Sequence, residues 1–125
     1  MFRLARRTRP ADTPTVQAPP PVTAGPARFR VVEVGAASPM RLDLRGELDL
    51  AAAPMLREHV RGAGTRRGNV VVDLSGVDFI DIAGLCALTA LANEAREQGW
   101  RLELHRPSLS VRRLARLTCT QGLFA

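Results

Sequence analysis

The sequence predicts an α/β fold, a mixed β-sheet with helices packed against it in the order β-β-α-β-α-β-α. Three observations carry that expectation. Met40-Arg41-Leu42-Asp43-Leu44-Arg45 and Arg101-Leu102-Glu103-Leu104-His105 alternate apolar with polar residues, the period-two pattern of strands with one wet face. Asn69-Val70-Val71-Val72-Asp73-Leu74 is an apolar run with β-branched residues, as expected of a central strand covered on both faces. Segments of helical spacing separate and follow these runs, and strands that alternate with helices require crossover connections.

Taken in order, the ordered part opens with Phe29-Arg30-Val31-Val32-Glu33-Val34, whose β-branched content favours a strand. The Gly35-Ala36-Ala37-Ser38-Pro39 break then turns the chain into the alternating run 40–45, so these two strands are expected to form a hairpin. Pro54 suits a first helical turn, and Leu56, Val60 and Ala63 recur at helical spacing, which places a helix at about 53–62, ended by Gly62 and Gly64. The central run 69–74 follows. A second helix from Gly84 to Gln98 collects Leu85, Leu88, Leu91, Ala92 and Ala95 on one side, and Gly99 stops it. After the strand at 101–105, Ser108 can cap a last helix with Val111, Leu114 and Ala115 inward and Arg112, Arg113 and Arg116 outward.

Composition narrows the functional classes. An apolar share of 46% without a run of membrane-spanning length describes a soluble globular domain, and the basic opening residues lack the apolar stretch of a secretion signal. A cytoplasmic protein without stable membrane insertion is the expectation. All 18 basic residues are arginine, so P-loop and Schiff-base lysines are excluded. Cys86 and Cys119 form no Cys-x-x-Cys pair, and His59 and His105 have no sequence neighbours that suggest a triad or a metal cluster. Asp78 and Asp81 flank Phe79-Ile80, a buried-looking segment, without a nucleophile or a Gly-rich phosphate cradle nearby. No enzyme activity, catalytic residue, metal, cofactor or small-molecule substrate is therefore expected.

Residues 1–28 carry five arginines against one acid, whereas residues 29–125 carry thirteen against eleven. The first segment is rich in Pro, Thr and Ala and has no periodic apolar face, so it reads as a disordered arm ahead of one domain at 29–125. Its arginines, with Arg112, Arg113 and Arg116, raise a nucleic-acid-binding reading that rests on charge alone, and nucleic acid is not an expected partner. Asp81 directly precedes the second helix, where its carboxylate can cap open amides and complement the helix dipole.

Four segments resemble the STAS domains of bacterial anti-sigma factor antagonists. They are Gly46-Glu47-Leu48-Asp49 continuing to Pro54, Val71 through Asp81, Arg101-Leu102-Glu103-Leu104 with Pro107-Ser108, and Leu117-Thr118 through Leu123-Phe124. The resemblance implies a STAS-like sheet and a partner-switching regulator of transcription. Such a domain docks on an anti-sigma factor with a kinase-like ATP-binding fold and so frees a sigma factor. It further implies partner binding through Glu47, Asp49, Asp81, Ile82, Ala83, Gly84 and Leu85. Regulated members read Asp-Ser-Ser-Gly-Leu or Asp-Ser-Thr-Gly-Leu and are phosphorylated directly after the Asp. Here the run is Asp81-Ile82-Ala83-Gly84-Leu85, with a degenerate phosphoacceptor position at Ile82 and no hydroxyl beside it. Thr89, the nearest downstream hydroxyl, is expected to face solvent or bond the preceding turn. An alternative within the same resemblance is the STAS subunit of a lipid-transport ATPase complex, where phosphorylation need not operate.

Overall fold

The alternation of apolar and charged residues separates the two faces of the sheet. In the structure, a computed structural model describing residues 28–35 and 39–124, the elements are β1 (Phe29–Val34), β2 (Met40–Leu48), α1 (Ala53–Arg67), β3 (Asn69–Ile80), α2 (Ile82–Gln98), β4 (Arg101–His105) and α3 (Leu109–Leu117), then a 3-10 turn at Gln121–Leu123. The expected order holds. The sheet runs β1-β2-β3-β4, with β1 and β2 an antiparallel hairpin and β2, β3 and β4 mutually parallel. The arm expected over 1–28 lies, but for Arg28, outside the described residues, as do positions 36–38 of the hairpin break.

Met40, Leu42, Leu44 and Leu48 of β2, Val70, Val72 and Leu74 of β3, and Leu104 of β4 are buried on one face. They meet Leu56, Val60 and Ala63 of α1, Leu88, Leu91 and Ala95 of α2, and Val111 of α3 in a single core, with Leu114 packed against it. Each large side chain removed from water here contributes about 1.5–3 kcal/mol, so this sheet–helix layer is the main source of stability. Arg61 of α1 and Glu94 of α2 add a two-bond fork at 2.6 and 3.0 Å. At that exposed position it sets helix register more than it adds stability.

The central strand is not covered on both faces as its composition led us to expect. Its other face, continuous with Arg41, Asp43 and Arg45 of β2, carries Asp73, the only buried charged side chain among the described residues. Burial alone would raise the Asp73 pKa. The Ser75 hydroxyl at 2.6 Å and amide at 2.9 Å, with the Arg106 and Arg41 guanidinia at 3.4 and 3.2 Å, outweigh it and hold the pKa below the ordinary carboxylate range. Arg106 reaches Asp73 from a left-handed backbone conformation, φ 53°. Such a conformation is uncommon for a side-chain-bearing residue.

Four elements are longer than their sequence patterns. β2 continues to Leu48 and β3 to Ile80, because Gly46 and Gly76 let the two strands stay paired across register shifts between Asp43 and Arg45 and between Gly46 and Glu47. Helix α1 runs through Gly62 and Gly64 and ends only where Gly68 adopts φ 80°. Gly64 is not a stop signal. It is where Trp100 packs, and a Cβ there would lie 2.3 Å from the indole ring. Helix α2 begins at Ile82, two residues before the expected start, and ends at Gly99 as expected.

Two measurements check this reading. Gly62→Ala, which points into open space, should stabilise the protein by about 0.5–1 kcal/mol through helix propensity, whereas Gly64→Ala should destabilise it by about 1–3 kcal/mol as Trp100 is displaced. Denaturant melts that gave both substitutions the same sign would contradict the packing. For Asp73, a depressed folded pKa means that its stabilisation is present above the unfolded value near about pH 4 and is lost as pH falls below it. The stability gap between the native chain and Asp73→Asn should therefore be widest from pH 5 upward and narrow toward pH 3. A constant gap would remove the ion cluster from the account.

Candidate functional site

The residues singled out in the sequence gather where β2 and β3 end and α2 begins. Asp81 leaves β3 in an extended conformation, φ −112° and ψ −178°, which aims its side chain at the first turn of α2. One carboxylate oxygen accepts the Gly84 amide at 2.8 Å, and the other accepts the Leu50 amide at 3.3 Å from the β2–α1 loop. Its own amide donates to the Leu48 carbonyl at 3.3 Å. The helix cap read from sequence is thus also a clamp between two segments 31 residues apart.

The neighbouring loop is closed from its own side. The Asp49 carboxylate accepts the Ala52 amide at 3.0 Å and the Asp49 carbonyl accepts the Ala53 amide at 3.0 Å, which turns the chain into α1. Glu47 is paired with Arg28 at 3.1 Å. All three acids of the expected site therefore have internal partners.

Gly84 and Leu85 belong to packing. A Cβ on Gly84 would stand 2.3 Å from the Leu48 carbonyl oxygen, so only glycine lets α2 press against the end of β2, and Leu85 is buried beside it. Ala83 is half-buried. Ile82 is the residue the fold turns outward, with 54% of its surface exposed. That settles against internal packing, the other reading a β-branched apolar residue allows.

Two apolar neighbours were not singled out from the sequence. Leu50, held by the Asp81 clamp, is 72% exposed, and Phe79, across from Glu47 on β3, is 50% exposed. The expectation that Phe79 lies in a buried segment is therefore corrected: Ile80 is buried, and Phe79 projects to solvent. Leu50, Phe79 and Ile82 are thus three exposed apolar side chains on the segments that meet around Asp81. From Ile82 a shallow groove continues along Leu85, Cys86, Thr89 and Ala90 of α2, bounded opposite by Thr118 and Thr120. The Thr89 hydroxyl donates to the Leu85 carbonyl at 3.0 Å, the back-bonded arrangement expected of it.

The remaining candidates stay dispersed. The His59 ring contacts the Met55 carbonyl at 3.0 Å and His105 pairs with Glu103 at 2.9 Å, each on its own element. Among the described residues, no three His, Cys, Asp or Glu side chains converge to hold a metal ion, and no helix is long and apolar enough to cross a membrane. Arg112, Arg113 and Arg116 are exposed on α3. What this end of the molecule offers is exposed apolar side chains around a capped helix start.

A family model described as "Mlab, STAS domain" matches residues 32–123. Among solved structures, the chain is similar to an anti-sigma factor antagonist from Mycobacterium paratuberculosis, with 21% identity and a TM-score of 0.67 over 82% of this chain and 87% of that one. It is also similar to the anti-sigma factor antagonist SpoIIAA in its unphosphorylated form, with 20% identity and a TM-score of 0.61 over 78% and 85% of the two chains. Against the Bacillus cell fate determinant SpoIIAA in the phosphorylated form the values are 19% and 0.58 over 78% and 88%. At these identities the structural likeness establishes the fold.

Proposed function

The chain belongs to the STAS domain family, and from that premise we propose that it is a non-enzymatic docking module of the anti-sigma factor antagonist kind. Its partner surface is centred on Ile82, with Leu50 and Phe79 beside it and Glu47, Asp49 and Ala83 at the edge. Asp81, Gly84 and Leu85 act from beneath by fixing the start of α2. The partner is an anti-sigma factor with a kinase-like ATP-binding fold, whose capture releases a sigma factor.

The observation that carries this reading is the exposure of Ile82 directly after the capping Asp81. A phosphate at that position would bring nearly two negative charges to open helix amides and would repel or displace a docked partner. Isoleucine cannot be esterified. Its burial against a partner contributes about 1–2 kcal/mol instead. The module is therefore constitutively competent to bind, without the off-switch of regulated family members. A second reading, a STAS subunit of a lipid-transport ATPase complex, uses the same surface and is favoured by the same missing hydroxyl. Affinity purification separates the two by whether an anti-sigma factor or a transporter ATPase is recovered.

Incubation with the anti-sigma kinase and ATP, read by intact mass, should leave the native chain unmodified, whereas Ile82→Ser should gain one phosphate and then bind the partner more weakly. Ile82→Asp should show part of that loss, with Ile82→Asn as the neutral control. A phosphate on native Thr89 accompanied by partner release would mean that the switch has moved rather than vanished.

A further inference from the structure

The helix-free face of the sheet holds a feature that the docking surface does not use. Arg30 of β1 and Arg45 of β2 are direct cross-strand partners. Like charges directly opposite in an antiparallel pair destabilise it. Little nearby offsets them. Arg45 is 3.9 Å from Asp43, a carboxylate already held by Arg41 at 2.9 Å, and Arg30 has no ion pair among the described residues. Arg28, just ahead of β1, pairs with Glu47 at 3.1 Å but leaves most of its side chain in solvent.

These three arginines and Asp78 line one open cleft, with Gly46 and Gly76 at its base. The base admits no side chain. A Cβ on Gly46, at φ 100°, would overlap the Arg28 carbonyl oxygen, and one on Gly76 would stand 2.8 Å from the Leu44 carbonyl oxygen. The register shifts of β2 against β3 fall at this point. Such irregularities re-aim side chains.

We propose that this cleft binds a phosphate monoester through Arg28, Arg30 and Arg45. A carboxylate has two oxygens and is satisfied by a single guanidinium fork, whereas a monoester spreads its charge over three terminal oxygens and matches three. The bound dianion offsets the repulsion between Arg30 and Arg45. Asp78 at the same cleft repels a second anionic group and accepts a hydrogen bond from a hydroxyl, so the ligand is a hydroxylated monoester rather than a polyphosphate. The same chemistry occurs in a soluble ester and in a monoester lipid headgroup.

The test uses the full chain at constant ionic strength. One arm titrates glycerol 3-phosphate by amide NMR and calorimetry. The other adds phosphatidylcholine vesicles with and without phosphatidic acid. Saturable binding of glycerol 3-phosphate, with shifts centred on residues 28–31, 45–46 and 76–78, identifies a soluble ester. Phosphatidic acid-dependent vesicle binding alone identifies a headgroup. In either case the combined Arg30→Gln and Arg45→Gln variant should bind at least about tenfold more weakly, having lost two charge-assisted contacts. Arg112→Gln with Arg113→Gln on α3 should leave binding unchanged. Without ligand, Arg30→Gln should unfold at a higher temperature than the native chain. Binding in neither arm, or equal loss from the α3 variant, overturns the proposal.

Discussion

The carboxylate of Asp81 is the constraint on which the junction of β2, β3 and α2 depends. One oxygen closes the first turn of α2 and the other holds the loop between β2 and α1, while the Asp81 amide reaches the end of β2. Gly84 lets the helix approach within the distance these bonds require. Capping bonds of this kind are individually worth about 1 kcal/mol. Their importance here is positional, because together they determine which residue of the first turn faces outward. That residue is Ile82.

The consequence is a division of labour between surfaces. All three helices lie on one face of the sheet, where the apolar positions of β2, β3 and β4 are spent on the core. The strand ends and the start of α2 present Leu50, Phe79 and Ile82. The opposite face carries exposed Val32 and Val34 beside charged residues, some internally neutralised, as Asp73 is by Arg41 and Arg106, and some in opposition, as Arg30 and Arg45 are. The apolar end and the arginine-lined cleft are adjacent, and the Arg28–Glu47 ion pair joins them.

Much of this was legible in the sequence where a local rule applied. Period-two alternation located β2 and β4, Ser108 and Asp81 announced their helices, and Gly99 marked a helix end. What stayed hidden was long-range. Gly64 read as a terminator because nothing local shows that Trp100 packs on it from 36 positions away. The extension of β3 past Leu74 was masked by Ser75, Gly76 and Asp78; the strand continues because Gly76, Val77, Phe79 and Ile80 pair with β2, while Ser75 and Asp78 fall at the register shifts. The Val70-Val71-Val72 run has the composition of a strand covered on both faces, yet helices cover one. Of the site, Asp81 and Ile82 were identifiable from their place in the family signature. Leu50 was not, because its exposure follows from a bond to a side chain distant in sequence.

The clamp is tested most directly by amide hydrogen exchange on Asp81→Ala and Asp81→Asn beside the native chain. In Asp81→Ala the Leu50 and Gly84 amides should lose protection together, because one carboxylate accepts both. In Asp81→Asn one amide should keep its acceptor and the other should lose it, since an amide group has a single acceptor oxygen. Loss of protection at Gly84 in Asp81→Ala with Leu50 unchanged would contradict the account, leaving Asp81 a helix cap and the β2–α1 loop held by other means.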